Sequence, residues 1–263
     1  MGVGATYGPL IMALYIGQQG GWREGYATIS YIQIALVGIL FLTLPLWKLV
    51  TNNHTHTASE HSAPITNMMA LKISGVKVQL LMFFCYCALE ATTGLWATSF
   101  LILELNVLPS DATFWTAMYF LGITLGRFSC GFIADSIDED KIITAGVYII
   151  FMGVILLLLP SLLSQEHATS FGIIAKVGLV LIGLGCAPIY PNTIHLTPHR
   201  FDKNASQAII GLSMAFAYVG TTLMPPLIGL LATSFTFLLL PVSLLLLTIL
   251  MLLTTKRLKA LAT

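Results

Sequence analysis

The segment Tyr86-Cys-Ala-Leu-Glu90-Ala-Thr-Thr-Gly94-Leu-Trp96 lies inside an apolar run from about Gly75 to Leu103, and Glu90 falls near the middle of that run. About 20 apolar residues span a bilayer as a helix, so the run predicts a membrane-spanning helix with Glu90 near the midplane. A charge at that depth costs roughly 2.5–3.5 kcal/mol on insertion scales, and such residues usually face a bundle interior or a wet cavity. We therefore predict a functional carboxylate; a protonated Glu90 hydrogen-bonded to a neighbouring helix is the alternative.

The residues around Glu90 complete a candidate binding site. Tyr86 and Thr93 lie one turn either side of Glu90 on the same face of a helix, so both are candidate hydrogen-bonding groups. Gly94 is a weak helix former, and its position predicts local unwinding. With that unwinding, Trp96 would present an aromatic surface beside the carboxylate for stacking against a solute.

The composition indicates a polytopic all-α membrane protein. Of the 263 residues, 57% are hydrophobic and 9% are charged, whereas a soluble domain carries about 25% charged residues. The net charge of +1, without a large basic cluster, gives no indication of nucleic-acid binding. The four cysteines fall in apolar runs and are predicted to be packing residues. The sequence has no HExxH, GxSxG, GxxxxGK[ST] or CxxC motif, so we predict neither an enzyme, nor a nucleotide-driven pump, nor a bound cofactor.

The apolar runs predict about eight transmembrane helices, at residues 1–17, 26–48, 75–103, 112–133, 141–163, 170–192, 205–232 and 235–255. The polar stretch 49–74 predicts a flexible linker, which divides the chain into 1–48, 49–74 and 75–263. His54, His56 and His61 in this linker lack ligand partners other than Glu60, so no metal site is predicted.

The basic residues predict the orientation in the membrane. With Met1 in the cytosol, ten Lys and Arg residues fall in cytosolic segments, and Arg23 and Lys176 fall outside. Cytosolic loops carry the excess of basic residues in membrane proteins. Both termini are therefore predicted to be cytosolic, in a multi-pass protein of the plasma membrane.

Two further segments carry candidate functional residues. Arg127 and Asp135 flank the connection after the fourth span, where they are predicted either to cap helices or to form a gate latch. In the sixth span, Pro188 and Pro191 predict a broken helix that lines a cavity, with Tyr190 and Asn192 as cavity groups or as parts of a simple kink. Tyr119 and Tyr218 are weaker candidates on other spans. Small-residue faces predict close helix packing at Gly4, Gly8, Gly122, Gly126 and Gly131.

Several of these motifs, in this order, resemble the major facilitator superfamily, and within it the sugar porters similar to fucose permease. Gly126-Arg127 with Gly131-Phe-Ile-Ala-Asp135 resembles the cytosolic loop motif of the C-terminal half. The segment from Tyr86 to Trp96 is similar to the seventh family helix, Ala187-Pro-Ile-Tyr190-Pro191 to the tenth, and Ala208 to Pro225 to the eleventh. The turn at Trp22-Arg23 resembles the one between helices five and six. The resemblance covers helices five to twelve of a twelve-helix fold.

The resemblance implies a secondary active transporter, or its C-terminal part, that moves a sugar or similar small polar solute with a proton. Glu90 would be the protonatable or solute-binding carboxylate, and Arg127 with Asp135 would serve the gate. The implied partners are the solute, a proton, the lipid bilayer and a separate N-terminal half. Two alternatives stay open: a truncated module that does not transport, and an exporter of amphipathic compounds.

Overall fold

A computed structural model describes residues 2–17, 21–52, 65–133, 137–162 and 168–262, and all regular secondary structure in these ranges is helical. The helices are α1 (Gly2–Gly17), α2 (Gly21–Asn52), α3 (Asn67–Ala70), α4 (Val76–Leu103), α5 (Pro109–Ile133), α6 (Glu139–Leu162), α7 (Ala168–Cys186), α8 (Ile189–Arg200), α9 (Lys203–Ser234) and α10 (Leu239–Ala262). The expected all-α architecture is confirmed.

Six helical segments in the described ranges are long and apolar enough to cross a membrane: 21–45, 76–103, 139–162, 172–200, 204–234 and 239–261. The other two predicted spans correspond to α5 and α1. α5 has 25 residues, or about 37 Å at 1.5 Å per residue, and so matches a hydrocarbon core of about 30 Å. α1 has only 16 residues.

The helices α4 to α10 form one bundle around a shared apolar core. α4 packs against α9 and α10, α7 packs between α5 and α6, and α1 lies against α5. The largest fully buried side chains include those of Phe83, Tyr86, Phe100, Tyr119 and Leu179. Cys85, Cys87 and Cys186 are also buried, as expected for packing residues. α2 packs against α1 and leaves its apolar side chains exposed.

Close packing at glycines sets the spacing of several helices. A Cβ on Gly183 would lie 2.2 Å from the carbonyl oxygen of Tyr119, and one on Gly122 would lie 2.9 Å from that of Val180. A Cβ on Gly126 would lie 2.5 Å from the Cβ of Ala187, so α5 and α7 approach almost backbone to backbone.

The close approach predicted at Gly122 and Gly126 is therefore confirmed. At Gly131, Gly4 and Gly8 it was wrong as far as the described residues show, because a Cβ at each would meet nothing within 4 Å.

The break predicted in the sixth span is confirmed, because α7 ends at Cys186 and α8 begins at Ile189. The unwinding predicted at Gly94 was wrong: α4 is continuous from Val76 to Leu103. At Gly94 the missing side chain instead admits the ring of Phe120, which would lie 2.9 Å from a Cβ there. Tertiary packing against α5 thus outweighs the low helix propensity of one glycine.

The short helix α3 packs on α9, in a small apolar cluster that joins Ala70 and Val76 to Ala205 and Ile209. Asp202 caps the start of α9 by accepting a hydrogen bond from the Asn204 backbone N–H at 3.2 Å. The predicted division of the chain by a linker at residues 49–74 stays a prediction. The candidate residues His54, His56, His61 and Asp135 lie outside the described residues.

Candidate functional site

Glu90 lies near the middle of α4, where two side chains hold its carboxylate. The Tyr86 hydroxyl, one turn earlier, donates a hydrogen bond to Oε2. The Arg127 guanidinium of α5 lies 3.5 Å from Oε1. The side chains of Arg127 and Glu90 are 32% and 28% exposed, so the ion pair opens to one face of the bundle. A carboxylate at this depth therefore has a cationic partner and an accessible edge, which a purely structural core residue does not need.

Arg127 has a partner that the sequence did not predict. The sequence predicted a cap or gate residue at the cytosolic end of its helix, but the guanidinium is paired with Glu90. Arg127 lies six residues before the end of α5 at Ile133, and its long side chain reaches the facing helix. Its Nε is buried and has no hydrogen-bond partner among the described residues.

Three tyrosines surround this ion pair in different ways. Tyr119 is fully buried and donates to the backbone carbonyl of Glu90 at 2.9 Å, so it fixes the helix and does not face a solute. Tyr190 follows the break between α7 and α8, and its ring packs on Phe83, whose ring in turn neighbours that of Tyr86 on α4. Tyr218 on α9 is 72% exposed. The open face therefore brings together side chains from α4, α5, α8 and α9.

Trp96 does not belong to this face. Its indole Nε1 donates to the carbonyl oxygen of Pro225 at 2.8 Å, and its ring packs on Gly229 and on Phe237. The stacking role proposed for it depended on unwinding at Gly94, which does not occur. The ring instead fills the interface between α4 and α9.

Two other predicted residues lie apart from the open face. Thr93 is fully buried, and its hydroxyl has no hydrogen-bond partner among the described residues. Asn192 is buried, and its amide donates to the carbonyl oxygen of Pro188 at 2.7 Å. This bond satisfies a carbonyl at the helix break, so Asn192 stabilises the kink.

One feature of the site escaped the sequence reasoning, the partner of Glu90, and Tyr190 lies closer to the site than predicted. Tyr190 was considered a cavity group but not a principal site residue, although its position after Pro188 was a usable signal. Its ring packs on Phe83 at 5.2 Å, and its hydroxyl meets the sulfur of Met214 at 3.1 Å. The pairing of Arg127 with Glu90 depends on the relative register of two helices, for which a local pattern gives no signal.

Comparison with known proteins places this bundle in a family. The family model of the Major Facilitator Superfamily matches residues 79–262. The chain belongs to this superfamily. Its members are membrane transporters rather than enzymes, and the matched range contains Glu90, Arg127, Tyr190 and Tyr218. The multi-pass membrane architecture of the described helices agrees with this assignment.

A curated protein to which the chain is similar is the Bypass of stop codon protein 6 of Saccharomyces cerevisiae (strain ATCC 204508 / S288c). It is 24% identical over 154 residues, which cover 58% of this chain and 31% of the relative. The match thus spans about a third of that longer protein.

Proposed function

We propose that this superfamily chain forms the solute-binding half of a secondary active transporter, which carries a sugar or a similar small polar solute together with a proton. The observation that supports it most strongly is the half-open ion pair between Glu90 and Arg127 near the middle of α4. A neutral, hydroxyl-rich solute suits such a pair, because it can donate to the carboxylate and accept from the guanidinium without adding net charge to the membrane interior.

In this proposal, proton binding at Glu90 weakens its attraction to Arg127. The guanidinium then turns its donors to the solute, while Tyr86 keeps the carboxyl group in place. Tyr190 replaces Trp96 as the aromatic surface beside the solute, since it is partly exposed and packs on Phe83, next to the Tyr86 that holds Glu90. Loss of the proton restores the ion pair and releases the solute. Binding of the two species is thereby coupled through one side chain.

The proposed gate lies at the cytosolic end of the bundle. There Glu139 at the start of α6 meets His195 of α8 at 2.6 Å, and Asp140 pairs with Arg200. Asp135 precedes this cluster in the chain and is proposed to contribute to it. The orientation with both termini in the cytosol and the plasma-membrane location are parts of the same proposal.

Transport in sealed vesicles tests the role of Glu90. We expect Glu90→Gln to abolish accumulation of a neutral hexose driven by an imposed pH gradient, since an amide cannot take up the proton, while solute exchange at equal pH continues. The assay uses the chain alone and, in a second arm, the chain co-expressed with a four-helix N-terminal segment of a superfamily transporter. Glu104→Gln, at the C-cap of the same helix α4 and outside both the ion pair and the proposed gate, is the matched control and should retain accumulation. Full accumulation by the Glu90→Gln variant would remove Glu90 from the mechanism.

A second candidate function is export of an amphipathic compound. It is favoured by the apolar and polarizable surroundings of Tyr190, whose ring contacts Phe83 and whose hydroxyl meets Met214. Thermal stabilisation of the purified protein separates the two candidates. Neutral hexoses should raise the unfolding temperature under the first, and aromatic organic cations should raise it under the second.

A further inference from the structure

Two consecutive prolines leave one backbone carbonyl of α9 without a donor in its own helix. In an α-helix the carbonyl of residue i accepts from the N–H of residue i+4, or of i+3 in a tighter turn. Counting from Thr222, these residues are Pro226 and Pro225, and neither has an N–H. The Thr222 carbonyl therefore cannot make either bond, although α9 continues to Ser234. An unsatisfied carbonyl inside a membrane is tolerated where it lines a water-filled cavity or finds another partner.

The burial of the side chains around α9 shows on which side of the helix this carbonyl lies. Ser213, Ala217 and Gly220 are buried on the side that packs against α4. Phe216 and Val219 line an apolar groove with residues of α4, as expected for a lipid-facing side.

Tyr218, Thr222 and Pro226 follow one another at four-residue spacing and are exposed, so they form a separate stripe, the α9 polar stripe. The stripe adjoins the side on which Met214 meets Tyr190.

The α9 polar stripe lies beside Tyr190, whose hydroxyl contacts the sulfur of Met214 at 3.1 Å, one turn before Tyr218. The Tyr190 ring packs in turn on Phe83, which lies two turns before Glu90 on α4. Among the described residues, the Tyr218 hydroxyl has no hydrogen-bond partner; the Thr221 hydroxyl donates to the Tyr218 backbone carbonyl at 3.1 Å. The stripe thus offers two acceptors, a backbone carbonyl and a phenol oxygen, beside an aromatic ring.

We propose that the Thr222 carbonyl and the Tyr218 hydroxyl form a second binding subsite, which accepts hydrogen bonds from an O–H or N–H group of the transported solute. This inference adds a subsite to the site of the proposed function. It rests on the proposed function only for the claim that the bound compound is the transported solute. The Thr222 carbonyl can only accept, so the subsite selects for a group that donates to it, while the Tyr218 hydroxyl can accept from a second donor or donate. When no solute is bound, a water molecule donates a hydrogen bond to the Thr222 carbonyl in this proposal.

The substitution Pro226→Ala tests the subsite without altering its exposed polar groups. Alanine supplies an N–H at position 226, which bonds the Thr222 carbonyl within the helix and closes the subsite. We expect the affinity of donor-bearing solutes to fall about threefold to tenfold, as for the loss of one net hydrogen bond. Pro45→Ala is the matched control, because Pro45 also lies inside an exposed helix, α2, whose main packing partner is α1.

The probes are neutral hexoses, the same hexoses fully O-methylated, and ethylammonium, each assayed by thermal stabilisation of the full chain in lipid nanodiscs. Tyr218→Phe serves as a second variant that leaves the helix backbone intact, and it should weaken binding by a similar factor. Selective weakening in both variants, with O-methylated hexoses inactive, supports the subsite.

If ethylammonium alone binds and depends on Pro226 in this way, the subsite stands and the sugar proposal fails. Unchanged hexose affinity in Pro226→Ala and Tyr218→Phe overturns the subsite and leaves the sugar proposal intact. Equal binding of O-methylated hexoses, or no binding by any donor-bearing probe, overturns it as well.

Discussion

At the scale of single residues, the central feature is the ion pair between Glu90 and Arg127, which lies in an apolar environment. Glu90 and Arg127 each remain partly exposed, and each supplies the other with a counter-charge. Removing one member of such a pair leaves an uncompensated charge, whereas replacing both with neutral groups of similar size often costs little. The pair is therefore expected to behave as a unit in stability measurements.

A double-mutant cycle measures this coupling. Arg127→Met alone should lower the free energy of unfolding by about 1–3 kcal/mol, less than for a fully buried pair because both side chains reach solvent. Adding Glu90→Gln should recover most of that loss. The readout is unfolding of the purified protein by titration with dodecyl sulfate, monitored by circular dichroism. Lys256→Met, on an exposed part of α10, is the control and should change little. Additive effects of the two substitutions would contradict the pairing.

At the scale of helices, the distances between neighbouring helices are set by close backbone contacts at glycines. α5 and α7 approach at Gly183, and α6 and α7 meet where a Cβ on Gly153 or on Gly178 would lie 2.7 Å from the other glycine's carbonyl oxygen. These contacts involve backbone atoms, which cannot move aside as a flexible side chain does. The helix α5, which carries Arg127, and the helix α6 are thus each held against α7 by glycines outside the site.

Gly183→Ala should therefore destabilise the bundle more than the usual helix-propensity gain of alanine can offset. We expect a loss of about 1–3 kcal/mol, typical of overpacking, because the added methyl group would lie 2.2 Å from the Tyr119 carbonyl oxygen. The same unfolding titration measures it. Gly211→Ala is the matched control in α9, where a Cβ meets nothing within 4 Å. Equal stability of the two variants would show that α5 and α7 do not pack as described.

The sequence predicted those elements that depend on local chemistry. Proline chemistry located the break between α7 and α8, and the cost of a charge at membrane depth singled out Glu90. The prediction for Gly94 failed because helix propensity is weak against the packing of Phe120. The partner of Glu90 and the true position of Trp96 depend on the registers of α4 with α5 and α9, and these are properties of the assembled bundle.

At the scale of the whole molecule, α1 and α2 form an appendage to the bundle of α4 to α10. α1 lies against α5, with the Thr6 and Thr124 hydroxyls 3.3 Å apart. In the most apolar stretch of α2, none of the residues is buried within the described structure. The core that surrounds Glu90 therefore draws its packing from α4 to α10, excluding α1 and α2.

Deletion of residues 1–52 should consequently leave the bundle folded. We expect the midpoint of thermal unfolding in detergent to shift by less than about 5 °C, roughly the effect of 1–2 kcal/mol in a domain of this size. Deletion of residues 239–263, which removes α10 from its contacts with α4 and α6, is the contrasting variant and should prevent folding. Loss of helical structure in the first variant would contradict the division described here.

The burial of three cysteines allows unfolding of this protein to be followed with a thiol-reactive dye. Cys85, Cys87 and Cys186 are enclosed in the core, and Cys130 is half-buried on α5. A maleimide dye that fluoresces on reaction should label the native protein slowly and brighten when the core opens. With Cys130 replaced by serine to lower the background, thermal unfolding can be followed without an engineered tag. A compound that binds the native protein should raise the temperature at which the buried cysteines react with the dye.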